Sequence, residues 1–151
     1  MSYIIRKMTL DDLEQVAAID QISFNLPWPA RSFKFELTDN PAARCWAAEL
    51  DGCVVGMLVA WMIVDEIHIA TLATHPDYRQ HGIGKKLLLH ALQSAQEEGA
   101  ITSFLEVRAG NTAALEMYRK SGFIEGGRRK GYYKDNNEDA VLMTLDRLSG
   151  G

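Results

Sequence analysis

The segment from Glu66 to Val107 constrains the fold most strongly, because a β-rich run, a glycine-containing loop, an amphipathic helix and a second β-rich run follow one another. The first run, Glu66–Thr74, stops at His75-Pro76. Apolar residues then recur at helical spacing over Ile83–Glu98, and Gly99 ends that pattern. Thr102–Val107 is the second β run. This order of elements predicts an α/β domain.

The rest of the chain supplies further strands and helices around this unit. We predict them at Tyr3–Arg6 (strand), Thr9–Phe24 and Arg31–Thr38 (helices), Arg44–Leu50 and Cys53–Val64 (strands joined by an Asp51-Gly52 hairpin turn), Thr112–Lys120 (helix), and two strands between Phe123 and Leu145. A β-meander followed by βαβα and a closing hairpin predicts a mixed sheet in one domain, residues 1–151.

Composition and charge exclude several classes of protein. The 151 residues carry a net charge of −4, which argues against general nucleic-acid binding. No apolar run approaches the ~20 residues that span a membrane. Polar Thr9 and Asp11 come too early for a signal peptide, so we expect a cytoplasmic protein. Cys45 and Cys53 are interpreted as small buried hydrophobic residues, and no histidine or cysteine spacing predicts a metal site.

The loop Arg79–Lys86, RQHGIGKK, places positive charge where a helix begins. A helix start offers unpaired N–H groups and the positive end of the helix dipole, so Lys85 and Lys86 are unfavourable there unless an anion is bound. Gly82 and Gly84 would let such an anion approach the backbone. The alternative is a solvated helix start whose lysines have no partner.

Two common phosphate-binding motifs do not fit this loop. A Walker A loop needs glycine at position 79 and Ser or Thr at position 86, which are Arg79 and Lys86. A dinucleotide-binding fingerprint needs glycine or alanine where Leu87 stands. The loop must therefore be compared with the phosphate-binding loops of another class of protein.

The pattern Arg/Gln-x-x-Gly-x-Gly, after a strand and opening a helix, resembles the acyl-CoA loop of the GNAT acetyltransferases. LATHPDYRQHGIGKKLL and LEVRAGNTAALEMYRKSGF resemble consecutive units of that superfamily. Together with PW near residue 28 and GYY near residue 132, they resemble the RimI-type N-terminal acetyltransferases. The resemblance implies a central mixed, largely antiparallel sheet of about seven strands with splayed strands 4 and 5, about four flanking helices, and acetyl-CoA in the gap.

The resemblance also implies roles for individual residues. Glu106 would be the general base, and Tyr118 would lie near the sulfur and protonate the departing thiolate. Asn111 would contact the cofactor. The remaining cofactor contacts would come from the strand end Leu72, Ala73 and Thr74 and from the loop residues Arg79, Gln80, His81, Gly82, Ile83, Gly84 and Lys85. The substrate slot would be lined by Leu26, Trp28, Tyr132 and Tyr133.

Structural alternatives stay open for several of these residues. Glu106 points to the same strand face as Arg108 and could pair with it. Tyr118 could be a half-buried core aromatic, and Asn111 could cap the helix that follows. The slot aromatics could instead be exposed residues at a dimer contact.

The resemblance implies transfer of an acetyl group from acetyl-CoA to a protein N-terminus, with ribosomal proteins among the candidate acceptors. Acetylation of a lysine or a small amine, or a non-catalytic acyl-CoA-binding module, are the alternatives. We expect a monomer or weak dimer that binds neither nucleic acid nor membrane.

Overall fold

A computed structural model describes residues 3–148, which contain one seven-stranded sheet and four α-helices. The strands are Ile4–Lys7 (β1), Ala43–Leu50 (β2), Cys53–Ile63 (β3), Glu66–Thr74 (β4), Thr102–Arg108 (β5), Ile124–Tyr133 (β6) and Glu138–Leu145 (β7). The helices are Leu13–Ser23 (α1), Ala30–Thr38 (α2), Ile83–Glu97 (α3) and Thr112–Lys120 (α4). The strand order is β1-β2-β3-β4-β5-β7-β6, and only β4 and β5 run parallel. The predicted mixed, largely antiparallel sheet is confirmed.

Two predictions about local structure are corrected. Thr9, which was predicted to cap the first helix, is the N-cap of a 3₁₀ turn, Leu10–Asp12, and α1 begins only at Leu13. The carboxylate of Asp12 accepts a hydrogen bond from the Thr9 amide at 2.8 Å, and this bond caps the 3₁₀ turn, which is tighter than a turn of α-helix. Cys53 is exposed at the start of β3 rather than buried.

Each face of the sheet has its own hydrophobic core. Helices α1 and α2 cover one face through Val16, Ile19 and Phe33. Helices α3 and α4 cover the other face, where α3 packs its buried leucines against β2, β3 and β4. Within residues 3–148 no helix is long and apolar enough to cross a membrane.

A gap opens in the sheet between β4 and β5. Their paired residues run only from Glu66–Thr102 to Ile69–Leu105. Beyond that point β4 continues along β3, and β5 continues along β7. Ala70 is the extra residue of a bulge in β4. A bulge bends its strand, and beyond it the alternation of side chains between the two faces of the sheet is reversed. The gap therefore starts where the bulge redirects β4.

The packing of α3 on β3 sets where the helix begins relative to this gap. A Cβ at Gly56 would lie 3.0 Å from both Ile83 and Leu87, so glycine permits the close approach.

Leu87→Ala should lower the free energy of unfolding by about 2–5 kcal/mol, because the fully buried side chain leaves a cavity. Leu89→Ala, on the exposed side of α3, should cost roughly 0.5 kcal/mol or less. Urea unfolding of both variants tests this; equal losses would contradict the packing.

Candidate active site

The gap between β4 and β5 holds two adjoining cavities. The small cavity, about 220 Å³, lies between the ends of the two strands and the segment after α1. The large cleft, about 690 Å³, lies over the start of α3 and along α4. Both are lined by Phe24, Leu72, Asn111 and Ala114, so one ligand can extend through both.

The start of α3 presents backbone amides that have no partner within the helix. Gly82, at its N-cap, has a left-handed φ of 78° and makes no side-chain capping hydrogen bond, and the first turn carries no acidic residue. The first helical bond in this turn runs from the Lys86 amide to the Gly82 carbonyl, which leaves the amides of Ile83, Gly84 and Lys85 without helical partners. A side chain at Gly82 would meet nothing within 4 Å, so the backbone there is open to a ligand.

The end of β4 offers two further backbone donors. Hydrogen-bonded and outward-facing residues alternate in an antiparallel pair, and the His75 amide donates to a β3 carbonyl at 2.8 Å. Ala73 therefore also faces β3, whereas Leu72 and Thr74 direct their N–H and C=O groups into the gap. The Thr74 carbonyl is consistent with this, because it accepts a hydrogen bond from Arg79 Nε at 3.0 Å.

The structure brings most of the predicted cofactor residues to the large cleft. Its wall includes Leu72, Ala73, Thr74, Arg79, Gln80, Gly82, Ile83, Gly84, Lys85 and Asn111. His81 is exposed and is not among the lining residues. The Arg79 guanidinium also donates to Ser23 Oγ at 3.1 Å, so it joins the loop to the end of α1. Sequence reasoning missed the far wall, formed by Glu116, Met117 and Lys120 of α4.

Glu106 lines the small cavity beside the point where β4 and β5 separate. Its carboxylate does not pair with Arg108; it lies 3.3 Å from Arg129 Nε on β6. The Glu106 side chain is 36% exposed and that of Arg129 is 56% exposed, so the pair is weak and water reaches both groups. A carboxylate in this position can accept a proton directly or through a water.

Arg108 has a structural task that the sequence did not reveal. Its guanidinium donates to Asp135 at 3.1 Å and to Glu138 at 3.3 Å, and it lies 4.0 Å from the centroid of the Tyr133 ring. Asp135 in turn accepts a hydrogen bond from Asn25 at 3.4 Å. Arg108 thereby holds the β6–β7 turn and the Tyr133 ring against the small cavity.

Tyr118 is the buried aromatic residue of the site. It is 7% exposed, packs edge-on against Phe123, and lines the small cavity. Its hydroxyl has no hydrogen-bond partner among residues 3–148, and burial raises the pKa of Tyr118. The phenol is therefore protonated at neutral pH and can donate to an atom in the cavity. Asn111 does cap α4, since its Oδ1 accepts from the Ala114 amide at 3.2 Å, and its Nδ2 is left available.

The four predicted slot residues do not share one position. Leu26, Trp28 and Tyr133 line the small cavity. Tyr132 is 47% exposed, outside the cavity wall, with its ring edge-on to Tyr133. Trp28 also packs against Phe33 and Trp61, with ring centroids 5.2 and 6.4 Å away.

Asp20 is a cavity residue that sequence reasoning missed altogether. It lies on α1, is 1% exposed, and lines the small cavity. Its carboxylate accepts hydrogen bonds from the Trp28 amide at 2.7 Å and Thr71 Oγ1 at 3.4 Å. Burial raises the pKa of Asp20. A signal was present, because Asp20 is four residues after Val16 on the apolar face of the helix.

A mixed sheet that splits between two parallel strands, with an uncapped helix start at the split, is the arrangement that the sequence resemblance implies for an acetyltransferase. The chain belongs to the acetyltransferase (GNAT) family, whose sequence profile matches residues 13–123. It is 31% identical to the ribosomal protein bS18-alanine N-acetyltransferase of Escherichia coli (strain K12), over 93% of this chain and 95% of that protein. A Bacillus subtilis (strain 168) protein whose name assigns it the same activity provisionally is 39% identical over 92% of each chain.

A solved structure supports the same relationship. The crystal structure of the ribosomal-protein-S18-alanine N-acetyltransferase from Escherichia coli superposes with a TM-score of 0.89 at 29% identity. The match covers 99% of this chain and 97% of that one. The resemblance noted in the sequence is confirmed.

Proposed function

We propose that this protein transfers an acetyl group from acetyl-CoA to the N-terminal α-amine of a protein. The observation that carries the proposal is the pairing of the two cavities: a cleft at an uncapped helix start opens into a small cavity that contains a carboxylate. The names of the relatives support a protein N-terminus as the acceptor.

The residues of the large cleft fit acetyl-CoA. The pyrophosphate would be held by the free amides of Ile83, Gly84 and Lys85 at the α3 start. The gap-facing amides of Leu72 and Thr74 would hold the amide-rich arm of the cofactor. Acetyl-CoA supplies the acetyl thioester and a thiolate leaving group. The thiolate is a tolerable one, since cysteine has a pKa of about 8.5.

Glu106 and Tyr118 divide the proton transfers in this proposal. An α-amine has a reference pKa of about 7.7–8.0, so part of it is already neutral near pH 7 and a modest base suffices. Glu106 takes the proton from the attacking amine, and the Tyr118 hydroxyl donates to the departing sulfur. No cysteine nucleophile is needed, and burial raises the pKa of the Cys45 thiol to about 12.

The two lysines of the glycine loop provide a matched test of cofactor binding. Lys85 lines the large cleft and Lys86 does not, although both are exposed in the same helical turn. Lys85→Ala should weaken acetyl-CoA binding about two- to fivefold, since an exposed ion pair is worth roughly 0.2–1 kcal/mol. Lys86→Ala should leave it unchanged. Calorimetric titration at two salt concentrations checks both, and equal losses would contradict the assignment of the cleft.

The acceptor is tested with a peptide that carries a free N-terminal alanine and one internal lysine. After incubation with acetyl-CoA, fragmentation mass spectrometry locates the acetyl group, and a thiol assay measures CoA release. Acetyl on the α-amine alone is the expected result. Acetyl on the lysine would assign the chain to another branch of the family. No transfer, together with no rise in melting temperature on adding acetyl-CoA, would contradict the proposal.

The acceptor protein, the domain organisation and the cellular location are part of the same proposal. A ribosomal protein is the proposed acceptor, because relatives are named for one. We propose that residues 1–151 act as one catalytic domain in the cytoplasm. Gel filtration tests whether the chain is a monomer or a weak dimer.

A further inference from the structure

We infer that Asp20 is the counter-charge for the acceptor's α-ammonium group, so that the small cavity selects a cationic N-terminus. This inference rests on the proposed function and deepens it by assigning the recognition of the amine to a residue outside the motifs of the family resemblance.

The first step of the argument is the charge inventory of the small cavity. Three charged residues line it. Glu106 is paired with Arg129, and Arg108 is paired with Asp135 and Glu138. Asp20 has no Lys, Arg or His nitrogen within 4.0 Å in the part of the chain that the structure describes. It is therefore the cavity carboxylate whose charge the protein leaves uncompensated.

The second step is that the hydrogen bonds of Asp20 do not require a charge. The Trp28 amide is the only backbone N–H in Pro27–Trp28–Pro29, because proline has none, and in its part-buried position it needs an acceptor. The Trp28 amide donates to one carboxylate oxygen and the Thr71 hydroxyl donates to the other. Asparagine would keep the Trp28 bond through its oxygen, and its Nδ2 would donate to the Thr71 hydroxyl, which can also accept. A buried carboxylate with only neutral donors is destabilising for the free protein.

The third step is that an incoming cation would offset this cost. The α-ammonium is largely protonated near pH 7, and it must enter the cavity that Asp20 lines. Charges interact more strongly in a poorly solvated cavity than in water, so Asp20 can attract the ammonium without touching it. Glu106, more exposed and beside the gap, then remains free to accept the proton.

The test compares two peptides for binding to the CoA-saturated protein. One begins with alanine; the other begins with a propionyl group and differs only by lacking the α-amine. The wild-type protein should prefer the amine peptide about tenfold, because the counter-charge acts on that group alone. Asp20→Asn should bind both peptides within about twofold, while its affinity for the propionyl peptide equals that of the wild type.

Glu36→Gln is the matched control. Glu36 is another buried carboxylate, but it bonds to Asn40 and Trp61 and does not line the small cavity. This variant should keep the tenfold preference.

Two results would overturn the inference. The first is a tenfold preference for the amine peptide that persists in Asp20→Asn. The second is equal binding of both peptides by the wild-type protein, a result that does not depend on whether the variant folds. Each leaves the proposed function intact if the alanine peptide is still acetylated. A wild-type protein that neither binds nor acetylates the alanine peptide would contradict the function and the inference with it.

Discussion

Glu106→Gln should slow acetyl transfer to the alanine peptide by about 10²–10⁴-fold, the range that general base catalysis typically contributes. The amide keeps the size of the side chain but cannot accept the proton of the attacking amine. Binding of acetyl-CoA should not change, because Glu106 lines the small cavity and not the large cleft. Single-turnover kinetics and calorimetric titration measure the two effects separately.

Arg129→Ala is the control for Glu106. It removes the partner that lies 3.3 Å from the carboxylate but leaves the proposed base in place. Because the pair is largely exposed, the rate should change by about fivefold or less. If Glu106→Gln kept the wild-type rate, another group or water would have to be the base.

Tyr118→Phe should lower the rate of transfer by roughly 10²-fold, through loss of the donor to the departing thiolate. The ring that packs against Phe123 is retained, and the hydroxyl has no partner among the described residues. The free energy of unfolding should therefore stay within about 1 kcal/mol of the wild type. Rapid-quench kinetics and urea unfolding measure the two quantities.

Tyr132→Phe is the control for Tyr118. It removes a hydroxyl from a tyrosine outside the wall of the small cavity, so its rate should match the wild type. A Tyr118→Phe protein that transfers at full rate would make Tyr118 a core aromatic only, the alternative that the sequence left open.

Most elements of the fold could be predicted because their signals are local. The bounds of β4 and α4 agree with the prediction, since His75-Pro76 stops the strand and Asn111 and Gly122 flank the helix. The start of α1 could not be predicted, because Thr9 and Asp12 cap a 3₁₀ turn with a pattern that also suits an α-helix. Cys53 was misplaced because its exposure depends on the hairpin that carries it.

The residues of the candidate site also divide into those with a local sequence signal and those without one. The cleft residues around Gly82 and Gly84 follow one another in the chain, so their pattern alone indicated an anion site. The partner of Glu106 is on another strand, and Asp20 meets Trp28 and Thr71 only after α1 packs on β4. Local patterns carry no information about contacts of this kind.

The sequence by itself determined the order of strands and helices, the glycine-containing, uncapped start of α3 and the family. These depend on periodicity, on the conformations open to glycine and proline, and on hydrogen bonds between near neighbours. Only the tertiary structure decided where the pairing of β4 and β5 ends, how the two cavities join, and that the charge of Asp20 is uncompensated. Those features arise because a bulge ends the pairing of two strands and because burial removes water from a carboxylate, and both effects depend on residues far apart in the chain.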